Sequence, residues 1–155
     1  MITSTNNKMK MKYLVCILCV FLVKTCEFPD MGYFFRMSNN ANHKISYFVD
    51  EQYPDTSITK NKPNLRILEP METWQNTYRG TLEERFSKIE KVSIFIFHPD
   101  TLNKYTWEEV RESYNILKRY DLSLEDWQNL KSGIVTYPPT EAMKNIEQYP
   151  PYGSE

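Results

Sequence analysis

The run Val92-Ser93-Ile94-Phe95-Ile96-Phe97, followed by His98-Pro99-Asp100, is the strongest strand signal in the chain. Five of its six residues are apolar, and all five are β-branched or aromatic. Both alternating sets, Val92/Ile94/Ile96 and Ser93/Phe95/Phe97, are mostly apolar. Such a strand needs cover on both faces, which places it at the centre of a sheet. His98-Pro99-Asp100 then reads as a turn.

Helix start signals flank this strand. Thr81 with Glu84, Thr106 with Glu109, and Ser123 with Asp126 each place a hydroxyl three residues before a carboxylate, the capping-box arrangement. Tyr105/Val110 and Leu122/Trp127 occupy the hydrophobic-staple positions of the last two. Helices are therefore expected over residues 82–89, from residue 107, and over residues 124–130. Trp107, Val110, Tyr114 and Leu117 recur at helical spacing, with Lys118-Arg119 as the C-terminal cations of that helix.

Further strands are expected at residues 45–49, 65–68 and 134–137. Trp74 and Tyr78 are four apart and read as one helix face ended by Gly80. Residues 140–148 read as a last helical turn, and the Tyr-Pro-Pro tail as packing along its own domain. The order β-β-α-β-α-α-β predicts a small single α/β (or α+β) domain. Its sheet of about three to four strands would have Val92–Phe97 central, under about three capped helices. A helical crossover to residues 134–137 favours parallel pairing of that strand with Val92–Phe97.

The N-terminus has a different character. Lys8, Lys10 and Lys12 precede eleven apolar residues, 13–23. That is the anatomy of a secretory signal peptide, and it falls short of the about 20 residues that span a bilayer. Cys16, Cys19 and Cys26 are the only cysteines and lie in or just after this leader. The body thus has no disulfide framework, cysteine metal site or cysteine nucleophile. Leu22-Val23-Lys24-Thr25-Cys26 resembles the lipobox of bacterial lipoproteins, in which the cysteine becomes the lipidated first residue. The resemblance implies a signal peptide over residues 1–25, lipidation of Cys26, a tether over residues 26–43 and a domain over residues 44–152. The expected location is the cell envelope, as an outer membrane lipoprotein held by the lipid on Cys26. Cleavage to a periplasmic or secreted form is the alternative.

Four of the 19 basic residues and none of the 20 acidic ones lie in residues 1–25, so 15 basic and 20 acidic residues remain, a net charge of −5. An acidic body without a basic stripe argues against nucleic-acid binding. No phosphate-cradling glycine loop, nucleophile elbow or zinc signature is present, and no metal or cofactor is expected.

Two function classes follow. In the first, the aromatic body binds or assembles with a protein or glycan partner, with Trp74 as the candidate surface aromatic; Trp107 and Trp127 read as core. In the second, Asp50, Asp55, His98 and Asp100 gather beyond the carboxyl ends of two parallel strands, as ligand sites do in open α/β sheets. A small enzyme or metal-binding protein would then use Asp55, His98 and Asp100. Turn chemistry accounts for the same residues, because Pro and Asp after a strand satisfy their own backbone. Binding is the preferred reading, and catalysis is not expected.

Residues 114–127 (Y-N-I-L-K-R-Y-D-L-S-L-E-D-W) and 134–139 (I-V-T-Y-P-P) together resemble a family of small uncharacterised bacterial envelope proteins, many with a lipoprotein-type leader. The resemblance implies a shared fold and export, and it assigns no catalytic residues.

The leader reading makes one direct prediction. Cys26→Ser abolishes acylation and releases the protein from the membrane fraction, as measured by fractionation and by the acyl mass on the N-terminal peptide. Full membrane retention and continued acylation of the Cys26→Ser variant would overturn it.

Overall fold

The structure is a computed structural model that describes residues 32–130 and 133–154. The expected signal peptide, Cys26 and the first part of the tether lie outside the described residues. From Gly32 onward the chain forms one unit of mixed α/β architecture. In order, the elements are β1 (Tyr33–Asn39), β2 (Ile45–Asp50), β3 (Arg66–Leu68), β4 (Thr73–Tyr78), α1 (Leu82–Phe86), β5 (Val92–Phe97), α2 (Pro99–Lys104), α3 (Trp107–Glu112), β6 (Lys118–Leu122), α4 (Leu124–Asn129), β7 (Ile134–Tyr137), a 3-10 turn (Glu141–Met143) and β8 (Glu147–Tyr149).

The strands form two sheets, one of five strands in the order β3-β2-β5-β6-β8 and one of three in the order β4-β1-β7. β5 is the middle strand of the larger sheet, and all six of its residues are buried. Ile94 and Ile96 enter a core shared with Phe35 and Met37 of β1, Val135 and Tyr137 of β7, and Trp127 of α4. That core lies between the two sheets. Phe95 and Phe97 enter a second core with Phe48, Ile58 and Val110, against which Leu102 and Trp107 pack. Phe48 stacks on Phe95 and Phe97 with ring centroids 5.0 and 5.9 Å apart. The strand thus has a sheet on one side and α2, α3 and the 51–65 loop on the other.

All three capping boxes form, with the hydroxyl and the carboxylate each accepting an amide N–H. The helices they start are short. The α3 stripe ends at Glu112, and Tyr114 adopts a left-handed φ of 50°, which no helix continues through. Lys118 and Arg119 are therefore not helix C-terminal cations. They open strand β6, and Lys118 is fully buried.

Four other expectations are corrected. The stretch read as a tether contains β1, whose alternation Phe35/Met37 points into the core; the missing Val and Ile hide it in the sequence. Trp74 and Tyr78 lie on strand β4, not on a helix. β7 does pair in parallel, but with β1 in the other sheet, and the neighbours of β5 are both antiparallel. Residues 147–149 form edge strand β8 on β6, beyond the 3-10 turn.

Two buried polar side chains join the layers. Asn39, fully buried at the end of β1, donates to the carbonyls of His43, Leu68 and Glu69 at 2.8, 3.2 and 3.0 Å. Tyr120 of β6 donates its phenol proton across the inter-sheet core to Thr136 O at 2.9 Å.

The packing of β5 sets an expected cost. Phe95→Ala leaves a cavity inside the aromatic stack and destabilises the protein by about 3–5 kcal/mol, whereas Ile96→Val costs about 0.5–1.5 kcal/mol. Denaturant unfolding of both variants checks the ratio.

Candidate functional site

The antiparallel register of β2 and β5 decides the carboxylate–histidine cluster. Asp50 pairs with Ser93, at the start of β5, and Ser46 pairs with Phe97, at its end. Four residues of extended chain, roughly 14 Å, therefore separate Asp50 from the end that carries His98. Asp55 sits in an exposed turn, where its carboxylate accepts from the Ser57 amide at 2.9 Å; hydrogen bonds from Ser57 hold its pKa below the ordinary value. The Asp100 amide donates to His98 Nδ1 at 3.2 Å, so His98 is the N-cap of α2. The four residues do not form one cluster, and no group of three or more candidate metal ligands exists among the described residues. Turn and cap chemistry accounts for each in its place.

The structure brings together the two histidines of the chain. His43 and His98 stack with ring centroids 5.1 Å apart, and Tyr137 meets His43 edge-on. No local signal marks this pair, because 55 residues of chain separate the two histidines.

A second polar group is buried and closed. Asp121 is fully buried, accepts from Ser93 Oγ at 2.6 Å and from Arg119 Nε at 2.9 Å, and Arg119 also bonds the phenol of Tyr114. Tyr114 in turn donates to Thr56 O at 2.9 Å. Every member has a partner, so the network fixes the β5–β6 register and holds the 51–65 loop. A third group fastens the C-terminal strand. Lys91 Nζ lies 2.5 Å from Glu147 Oε2 and 3.2 Å from the Tyr53 phenol.

Clefts open at the surface beside Pro99 and Leu102 of α2 and along the side where edge strands β3 and β4 run. One cleft of about 360 Å³ is lined by Phe35, Tyr47, Asn64, Arg66, Trp74 and Asn76, among others. Arg66 lays its guanidinium 3.8 Å over the Trp74 ring. Trp74 is half-buried, which leaves part of it at the surface. Burial pushes the Tyr47 phenol far above its ordinary value, so it stays neutral at the cleft floor. Tyr78 lines this cleft and also a neighbouring one of about 320 Å³, which Tyr33, Glu51, Arg79, Arg85 and Lys88 help to line. There Tyr33 and Tyr78 stack 5.2 Å apart, and Arg85 lies 4.8 Å from the Tyr78 centroid. Arg85 also bonds the Tyr33 phenol and the Glu51 carboxylate.

Trp74 lines one of these clefts. Trp127 is buried in the core, and Trp107 packs against the second core with its indole N–H donated to Thr59 O at 2.9 Å. Arg66 and Arg85 carry no local spacing signal, because each meets its aromatic partner from a different element: Arg66 of β3 over Trp74 of β4, and Arg85 of α1 over Tyr33 of β1 and Tyr78 of β4. No protein-family model, curated protein or solved structure matches the chain.

The tail fastening predicts a pH effect. The hydrogen bond from Lys91 holds the Glu147 pKa below its ordinary value. A depressed carboxylate adds stability above its unfolded pKa, and that stability is lost as pH falls through the lower, folded value. Glu147→Gln is therefore less stable than the parent at pH 7, and the gap closes below the carboxylate range. Urea unfolding at pH 7 and pH 3 measures it.

Proposed function

We propose that the chain is an exported envelope protein, lipid-anchored at Cys26 in the outer membrane, that binds a protein or glycan partner and does not catalyse. The observation that carries this reading is the aromatic cleft between the edge strands. Aromatic faces with guanidinium and amide groups at their rim suit both sugar stacking and protein anchoring. Trp74 and Tyr78 supply the faces, and Arg66, Asn64 and Asn76 supply the polar rim. The other polar groups support the non-enzymatic half of the reading: His98 caps a helix, Asp55 closes a turn, and Asp121 is saturated by its neighbours.

The test compares two exposed positions on the full chain in its own envelope. A photo-crosslinker at Asn76 is expected to trap a discrete partner, and one at Lys104, at the end of α2, is not. Trp74→Ala is expected to abolish the Asn76 adduct while thermal unfolding stays within a few degrees of the parent. Equal labelling at both positions, or an adduct that survives Trp74→Ala, would sink the reading.

A further inference from the structure

The neighbouring cleft has a chemistry of its own. Three cations, Arg79, Arg85 and Lys88, line it with two carboxylates, Glu51 and Glu84. Both carboxylates are already engaged: Glu84 closes the α1 capping box, and Glu51 pairs with Arg85. Arg79 and Lys88 are exposed, and neither side chain makes a hydrogen bond or ion pair among the described residues. The Arg85 Nε–H is buried and has no acceptor among the described residues. Arg85, its terminal nitrogens held by Tyr33 and Glu51, adds a fixed positive charge to the cleft wall. The body around this cleft carries a net charge of −5, so its two unengaged cations stand against the sign of the whole.

The cleft also has a fixed place relative to the chain. Tyr33, the first residue of β1, lines it, and Gly32 follows Cys26 by six positions. At about 3.3–3.6 Å per residue, that segment reaches at most about 22 Å. A lipid on Cys26 therefore keeps this end of the domain close to the bilayer surface. We infer that the Arg79–Arg85–Lys88 cleft binds the phosphate of an anionic phospholipid headgroup in the membrane that holds the anchor. The inference rests on the anchor reading in the proposed function. Arg79 and Lys88 pair with the headgroup phosphate, and the Arg85 guanidinium, backed by the Tyr33–Tyr78 pair, adds its fixed charge behind them. Contact with the headgroup orients the domain, with the cleft end against the membrane, and so offsets the repulsion between an acidic body and an anionic surface.

The test uses the mature protein from its own envelope, reconstituted in vesicles of phosphatidylcholine alone or with phosphatidylglycerol. The readouts are hydrogen exchange over residues 78–89 and the acyl mass at Cys26. Phosphatidylglycerol is expected to slow exchange over this segment. Arg79→Ala with Lys88→Ala is expected to cancel the protection, each charge being worth roughly fivefold in association with an anionic surface and the pair about 25-fold. Inorganic phosphate added to the phosphatidylcholine vesicles is expected to leave exchange unchanged. Protection by phosphate equal to that by phosphatidylglycerol would make the ligand a free anion and overturn the inference. An acyl group present without lipid-dependent protection overturns the inference alone. Absence of the acyl group overturns the anchor, and the inference with it.

Discussion

The fold depends on one strand that is buried on both sides. β5 has no solvent face: Ile94 and Ile96 press into the inter-sheet core, and Phe95 and Phe97 into the aromatic stack under α2 and α3. A strand with two apolar faces is stable only when two layers close over it. That requirement calls for a second sheet on one side and a helical layer on the other. Burying a side chain of this size contributes about 1.5–3 kcal/mol, so five of them form a substantial part of the driving force. The rest of the chain supplies the cover. Asn39 and Tyr120 then lock the layers together through hydrogen bonds that would be costly to leave unmade.

Local chemistry is legible in the sequence, and pairing is not. The three capping boxes and β5 are readable because each signal is contained within six residues. β6 passes for a helix end because Lys118-Arg119-Tyr120-Asp121 carries three charges, as a solvated C-terminus does. In the fold Arg119 and Asp121 neutralise one another on one face, and Tyr120 turns into the core on the other. The apolar stripe through Tyr114 is a coincidence of spacing. Tyr114 in fact swings out of the helix to meet Arg119 and Thr56. β1 lacks the Val and Ile that usually mark a strand, and only its partners β4 and β7 reveal it.

The same distinction explains the candidate sites. Asp50, Asp55, His98 and Asp100 form a site only if β2 and β5 run parallel. No residue in either strand encodes direction, and the connection between them does. The 51–65 loop returns over the helical face, then β3 pairs back on β2, and the chain leaves for the other sheet through β4 and α1 before β5 begins. The path therefore delivers β5 antiparallel to β2, and the carboxylates part company. Trp74 differs in that its reading rests on one residue, whose place at the surface cleft does not depend on the direction of β2 and β5.

The distribution of engaged and unengaged charge then divides the molecule. Around β5, β6 and β8 the charges close on one another: Asp121 with Arg119, Glu147 with Lys91. Such pairs hold register and leave nothing for a ligand. Along β3, β4 and α1 the pattern changes. Arg66 and Arg85 lie against aromatic rings, an arrangement that keeps a guanidinium fixed while some of its N–H groups remain free to bond elsewhere. Arg85 is held in this way, its terminal nitrogens bonded to Tyr33 and Glu51. A guanidinium preoriented on an aromatic stack loses little freedom when it binds, which lowers the entropic cost of recognition. The closed half is thus held by its own charge pairs, and the half along the edge strands carries the guanidinium–aromatic pairs on which the proposed binding rests.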